Sequence, residues 1–235
     1  MIKPIMDDLK KNLIFCSAAF HIQQCDNNKR ENEYLFCLKQ LLRFVPSNFD
    51  IVVCDNTIKN RDDLKNNELK HILQNKTTFL ILNRNIGTKN IGMGELDELI
   101  HVYENINFKT YNKVVYFTLR KIITNPWVFE KVNSMEKNGL ISNPIFLHLN
   151  NNYNFYYSPS TPNLYNDMFF ALSSKLMIDY IEYSKNNIEF NLKNNIGSEQ
   201  NLYKFININQ VDYEMLDCLG FIRIDYKGNN EIQLI

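Results

Sequence analysis

The chain has 235 residues, with 26 Lys plus Arg against 26 Asp plus Glu, 45% hydrophobic and 13% aromatic residues. That is enough apolar material for one sizeable core and argues against global disorder, and the formal net charge of zero gives no field favouring DNA, RNA or an anionic membrane surface. No run approaches the roughly 20 apolar residues of a membrane span, and residues 1–11 lack the apolar middle of a secretory signal, so a cytoplasmic protein is expected.

The run Asn12-Leu-Ile-Phe-Cys-Ser-Ala-Ala-Phe20 is apolar without alternation, the pattern of a strand covered on both faces, and Ser17, Ala18 and Ala19 at its end leave room for a ligand. Tyr34, Leu35, Leu38, Leu41 and Leu42 at helical spacing predict a helix over 32–44, closed by Pro46. Phe49-Asp-Ile-Val-Val-Cys-Asp55 repeats the buried-strand pattern and ends on Asp55 and Asn56; a helix over 64–73 follows. Thr77-Thr-Phe-Leu-Ile-Leu82 is a third strand, and it enters a segment, 83–94, that holds Gly87, Gly92 and Gly94. A helix over 95–105, a fourth strand, Lys113-Val-Val-Tyr-Phe117, and a helix opened by Pro126 continue the rhythm. Successive strand and helix units of this kind predict a doubly wound, mainly parallel α/β sheet in three layers.

Beyond Asn138 the rhythm changes. Strands are expected over 140–149 and 153–157 around an Asn-rich turn, a loop over 158–162, a strand over 168–172, helices over 175–183 and 199–206, and a terminal hairpin of 221–226 and 231–235 turning at Gly228-Asn229-Asn230.

In such a sheet, ligands bind outside the carboxyl ends of the strands, so Ala18, Ala19, Asp55, Asn56, residues 83–94 and Thr118-Leu-Arg-Lys121 are the candidates. The glycines permit close backbone approach, and Arg84 and Lys89 can face a phosphate. Their spacing fits neither GxGxxG nor the phosphate-binding loop of NTPases, so a structural turn is an equal alternative. Arg120 and Lys121 are adjacent cations where charge-assisted bonds can hold a diphosphate; a solvated segment is the alternative. His21, His71, His101 and His148 lack zinc-ligand spacing, no GxSxG surrounds a serine, and the five cysteines form no CxxC pair. His21 is expected at the surface, and Cys16 and Cys54 as buried free thiols. Tyr153, Phe155, Tyr156 and Tyr157 suit core packing better than stacking on a sugar or base.

The order of these features resembles the GT-A type glycosyltransferases: a strand ending in small residues, a strand ending in Asp55, a strand running into Asn85-Ile-Gly-Thr-Lys-Asn-Ile-Gly-Met-Gly94, then a helix and another strand. Asn166-Asp-Met-Phe-Phe-Ala-Leu-Ser-Ser-Lys175 is similar to the segment that family sets beside its acceptor, and Gly197-Ser-Glu-Gln200 resembles the acidic helix start that supplies a general base in inverting members. The resemblance covers roughly residues 10 to 210. It implies one domain over 1–235, with a nucleotide-sugar half of about 10–138 and a less regular acceptor half over 139–235. In it Asp55 and Asn56 would contact the base or ribose, Asn85, Gly87 and Lys89 the donor, and Arg120 with Lys121 the diphosphate. Glu199 and Asp167 are the candidate bases, against the alternatives of a helix-dipole charge and a turn residue.

The family's Asp-x-Asp metal motif follows the fourth strand, where this chain has Thr118-Leu119-Arg120, so no metal ligand is assigned. Two explanations stay open, a metal-independent enzyme in which cations replace the ion, or a relative with altered catalysis. The expected partners are a nucleoside-diphosphate sugar and a glycan or other hydroxyl acceptor, with no further cofactor. The rival functions are a sugar nucleotidyltransferase, for which residues 17–24 lack the usual glycine-rich loop, and a noncatalytic glycan- or protein-binding module.

Overall fold

A computed structural model describes residues 10–23, 25–142, 146–149, 155–158, 165–224 and 232–234. Its central sheet has seven strands: β1 (Asn12–Ala18), β2 (Phe49–Asp55), β3 (Thr78–Ile81), β4 (Lys113–Thr118), β6 (Gly139–Ser142), β9 (Asn166–Ser173) and β10 (Tyr213–Leu216). The spatial order is β10-β6-β9-β4-β1-β2-β3. Pairing is parallel at β1/β2, β2/β3, β1/β4 and β6/β10, and antiparallel on both sides of β9. The mainly parallel α/β sheet expected from the sequence is therefore what the chain forms.

The uninterrupted apolar runs arise because both sheet faces are covered. Along β1, Ile14, Cys16 and Ala18 pack in one core, with Tyr34, Leu38 and Leu41 of α1 (Asn27–Phe44), Leu69 and Leu73 of α2 (Asn67–Asn75), and Val128, Phe129 and Val132 of α4 (Trp127–Ser134). Leu13 and Phe15 face a second core, with Met93, Leu96 and Leu99 of α3 (Ile91–Asn105), Met177, Tyr180 and Ile181 of α5 (Ser174–Lys193), and Leu202 and Phe205 of α6 (Ser198–Ile208). These are the three expected layers.

A second, antiparallel sheet lies outside the expectation. Its order is β5-β11-β12-β7-β8, from β5 (Lys121–Ile123), β7 (Phe146–Leu149), β8 (Phe155–Ser158), β11 (Phe221–Ile224) and β12 (Ile232–Leu234). The expected strand over 140–149 is thus two strands in different sheets, with β6 in the first and β7 in the second. The terminal hairpin is borne out by the antiparallel β11/β12 pair. Its turn, the Asn-rich turn after residue 149 and the loop at 159–162 lie outside the described residues, as do the side chains of Tyr153, Phe155, Tyr156 and Tyr157.

Several bounds differ from those expected. α3 starts at Ile91 because Asn90 caps it, its side chain accepting from the Met93 N–H at 3.2 Å, so Gly92 and Gly94 are helical and only Gly87 is in the connection. α5 runs ten residues past Tyr183. Two polar residues of its second half, Ser184 and Asn191, are buried against α6, where Asn201 Nδ2 donates to Ser184 Oγ at 2.9 Å and Asn191 Nδ2 donates to Asn201 Oδ1 at 2.8 Å.

Candidate functional site

Helices α1 and α2 cover one face, while α3, which joins β3 to β4, covers the other. The chain therefore changes face between β1 and β4, and the open crevice of such a sheet lies outside the carboxyl ends of those two strands. Their ends are tied together by the Leu119 N–H donating to Ser17 O at 3.0 Å.

The segment after β1 is held from α1. The Ala19 N–H donates to Tyr34 Oη at 2.9 Å, and Arg30 Nε donates to Ala19 O. Burial pushes the Tyr34 hydroxyl up to about 12, against the lowering effect of the Arg30 and Arg120 guanidinium groups. Ala18 is buried within the α1-side core and Ala19 is half-buried, so the site meets backbone at Ala19.

Asp55 ends β2 fully buried. Its carboxylate accepts from the N–H groups of Phe20 at 2.6 Å, Thr57 at 2.6 Å and Ile58 at 2.8 Å, and from the Thr57 hydroxyl at 2.9 Å. The His21 N–H donates to Thr57 Oγ1 at 2.9 Å, so the two strand-end loops are knitted into one surface. The observed role of Asp55, of which a contact with a base or ribose is expected, is to tie these loops together, with donors on both of its oxygens. His21 is likewise half-buried rather than at the surface, its Nε2 2.7 Å from Oε1 of the fully buried Glu31. Glu31 in turn accepts from the Lys65 and Asn66 N–H groups at 2.8 Å and 2.7 Å.

On the α3 side the glycines serve packing. A Cβ on Gly94 would stand 2.6 Å from Gly87 Cα, and one on Gly92 would stand 2.6 Å from Ser198 N. The first approach seats the connection on the opening turn of α3; the second seats the start of α6 there, bringing Glu199 to the same edge. Asn56 joins this cluster, donating from Nδ2 to Gly94 O at 3.3 Å. Asn85 and Lys89 are exposed and Gly87 half-buried, beyond the edge strand β3. Arg84, expected to face a phosphate, is engaged with Asp97, its Nε and Nη2 donating at 2.8 Å and 2.5 Å.

Beneath this surface lies Glu98, a buried group that strand-end reasoning missed. Ser17 Oγ donates to it at 2.6 Å, while burial and the neighbouring Asp55 carboxylate raise its pKa well above the ordinary carboxylate value. Burial raises the pKa of Asp55 too, opposed by the N–H groups of Phe20, Thr57 and Ile58. Glu95, one turn nearer the edge, accepts from Tyr116 Oη at 3.0 Å.

The cation pair after β4 splits. Lys121 starts β5 and is buried, close enough to the buried Cys37 to oppose the rise of that thiol, which burial pushes up to about 12. Arg120 lines a cavity of about 580 Å³ between α1 and β5, whose walls include Lys29, Glu33, Phe36, Cys37 and Ile122. Its Nε lies 3.8 Å from Glu33 Oε2. Phe36 lies off the apolar stripe of α1 and is 49% exposed, the one signal in the sequence that could have indicated this cavity. The donor set after β4, namely a threonine hydroxyl directed to Met168 O at 3.5 Å, a fully buried leucine and a guanidinium, does not suit a divalent cation, which takes oxygen ligands.

Of the two candidate bases, Glu199 is half-buried in the first turn of α6. Asp167 stands second in β9, whose start pairs with the end of β6, so its backbone is at the same sheet edge; its side chain lies outside the described part of the structure. The structure thus places Ala19, Asn56 and Arg120 just after the ends of β1, β2 and β4, sets Glu199 beside the opening turn of α3, and leaves Asn85 and Lys89 exposed beyond β3.

No family model and no curated protein matches the chain. Among solved structures it is similar to a protein assigned as a nucleotide-diphospho-sugar transferase from Desulfovibrio desulfuricans G20, with a TM-score of 0.53 and 10% identity, over 89% of this chain and 80% of that one. It is also similar to 4-diphosphocytidyl-2C-methyl-D-erythritol synthase from Anaerococcus prevotii, with a TM-score of 0.54 and 10% identity, over 88% and 89% of the two chains. The likeness is one of fold, a mixed α/β fold with a mostly parallel central sheet flanked by helices.

Proposed function

We propose that the chain is a glycosyltransferase, one domain over 1–235 that moves a sugar from a nucleoside-diphosphate donor to a hydroxyl acceptor. The observation that carries this reading is a guanidinium, Arg120, placed just after the end of β4, beside the end of β1, and lining a cavity large enough for a small-molecule ligand. The fold shared with a protein assigned as a nucleotide-diphospho-sugar transferase supports it.

In the proposed step the bond from the anomeric carbon to the diphosphate oxygen breaks, and its electron pair leaves with the diphosphate. Arg120 bears that growing charge by charge-assisted hydrogen bonds. The acceptor oxygen forms the new bond to the anomeric carbon and gives its proton to Glu199, with Asp167 as the second candidate base. No step passes through a metal ion, and a cytoplasmic setting fits a soluble donor; among the described residues no helix is long and apolar enough to cross a membrane. Asp55 holds the loops that shape the site, and Asn56 is the polar group at the end of β2 that faces the donor.

Incubation with a panel of UDP- and GDP-sugars, following release of the nucleoside diphosphate, tests this. Arg120→Ala should lower kcat/KM about 100-fold, the usual effect of removing one preorganised charge donor, and Glu199→Gln should lower kcat with KM unchanged. A fully active Arg120→Ala chain, or no turnover of any donor, would sink the proposal. The likeness to a diphosphocytidyl synthase favours a second reading, a sugar nucleotidyltransferase. Consumption of a nucleoside triphosphate with release of pyrophosphate identifies it.

A further inference from the structure

We infer that the nucleoside half of the donor lies in the cavity between α1 and β5, with its base against Phe36 and Ile122 and its phosphates at Arg120 and Lys29. The inference rests on the donor reading above and locates the base within it.

The strand ends offer the base little. Asp55 is buried and taken by donors from both loops, and Ala18 is 2% exposed. The cavity offers what the strand ends lack. Its volume, about 580 Å³, is in the range of sites that enclose a small-molecule ligand. It runs along α1 from Asp26 to Cys37, which at the helical rise is roughly 15 Å, room for a nucleoside and its first phosphates end to end. Its chemistry is graded along that length.

At the Cys37 end stand Cys37, Ile122 and the half-exposed ring of Phe36, an apolar group with one aromatic ring for stacking. At the middle, one helical turn nearer the start of α1, Arg120 meets Glu33, and nearer still Lys29 stands exposed at the mouth. Arg120 Nε lies 3.8 Å from Glu33 Oε2, and a guanidinium carries five N–H donors in a planar fork, so a phosphate oxygen can bond it alongside its protein partners. Because α1 begins at the carboxyl edge of the sheet, phosphates at Arg120 direct whatever they carry toward the strand ends. The other acid at the mouth, Asp26, is occupied as the α1 cap, accepting from the Asn28 and Lys29 N–H groups at 2.8 Å and 3.4 Å.

The test is calorimetric titration of the full chain with UDP, GDP, CDP and ADP, and with inorganic pyrophosphate as a probe that has no base. For the tightest nucleotide, Phe36→Ala and Ile122→Glu should each weaken binding at least tenfold, while Phe36→Ala leaves pyrophosphate binding unchanged. Arg120→Ala should weaken both probes, and Glu33→Gln should tighten both several-fold by removing a carboxylate beside the phosphates. Phe36 is half-exposed, so its replacement keeps the fold, and an unchanged melting curve verifies this; should Ile122→Glu not fold, Phe36→Ala decides alone. If both cavity variants bind the nucleotide within twofold of the unaltered chain while Asn56→Leu weakens it, the base lies at the strand end; that overturns the inference and leaves the donor reading standing. No binding of any nucleoside diphosphate overturns both.

Discussion

The two flanks of the crevice are built in opposite ways. On the α3 flank, backbone meets backbone: Gly87 on Gly94 and Gly92 on Ser198, over buried carboxyl groups each supplied with donors. On the α1 flank, Arg30, Glu31 and Tyr34 form a buried polar base on one side of the helix, and on another side, toward β5, lies a cavity edged by Phe36 and Arg120. Glycine-rich sequence thus marks the closed flank and an off-stripe aromatic the open one. Close packing, not ligand access, is what the missing Cβ atoms provide there.

The largest expected effect breaks the closed flank. In Gly94→Ala the new Cβ would lie 2.6 Å from Gly87 Cα and 2.9 Å from Gly87 N, both backbone atoms that cannot rotate away. Overpacking of this kind costs about 3 kcal/mol, which for a chain of this size lowers the melting temperature by roughly 10 °C. Differential scanning calorimetry measures it. A loss of under about 2 °C would mean that the connection shifts freely, and that the flank is as open as the other.

Next in size is the seam between the flanks. Asp55→Asn keeps the shape of the side chain but turns one acceptor into a donor, leaving the buried Phe20 N–H or the Thr57 and Ile58 N–H groups facing an amide. An unmet buried donor costs roughly 2 kcal/mol, read as a lower denaturant midpoint at unchanged slope. The same variant separates two roles: if Asp55 only holds the loops, nucleotide affinity falls no more than stability does, whereas a direct ligand contact would reduce affinity in a chain that remains fully folded.

The central layer was legible because β1, β2 and β4 are covered on both faces, so their runs Leu13–Cys16, Ile51–Cys54 and Val114–Phe117 lack alternation. The direction of β9 was not, since Met168 to Leu172 has the same apolar pattern whichever way the strand runs. β5, with three residues, is too short to carry a period, which is why Lys121 looked like the partner of Arg120 in a loop. The glycines obscured the start of α3, because their low helix propensity outweighed the capping signal of Asn90. Strand-end reasoning points to Ala19, Asn56 and Arg120, which follow the ends of strands of one sheet. It could not find the cavity, whose second wall is a strand of the other sheet, nor Glu98, which interrupts the apolar face of α3 at a position that bonds from Ser17 and the Asn56 backbone explain.

Glu98 gives the smallest effect and the sharpest test of how dry the closed flank is. Its pKa is raised well above 4.5 in the folded chain by burial and by Asp55, so between the unfolded carboxylate value and the raised one the folded state holds a proton that the unfolded state has lost. Stability then falls as pH rises through that window and levels off above it, because the state that binds more protons is favoured at low pH. Glu98→Gln carries no titrating group and can still bond Ser17, so its stability should match that of the unaltered chain near pH 4 and exceed it increasingly toward neutral pH. Urea midpoints at several pH values give the comparison. Parallel profiles would mean that water reaches Glu98 and ionises it at no cost, in which case the α3 flank is wet and the contrast with the α1 flank disappears.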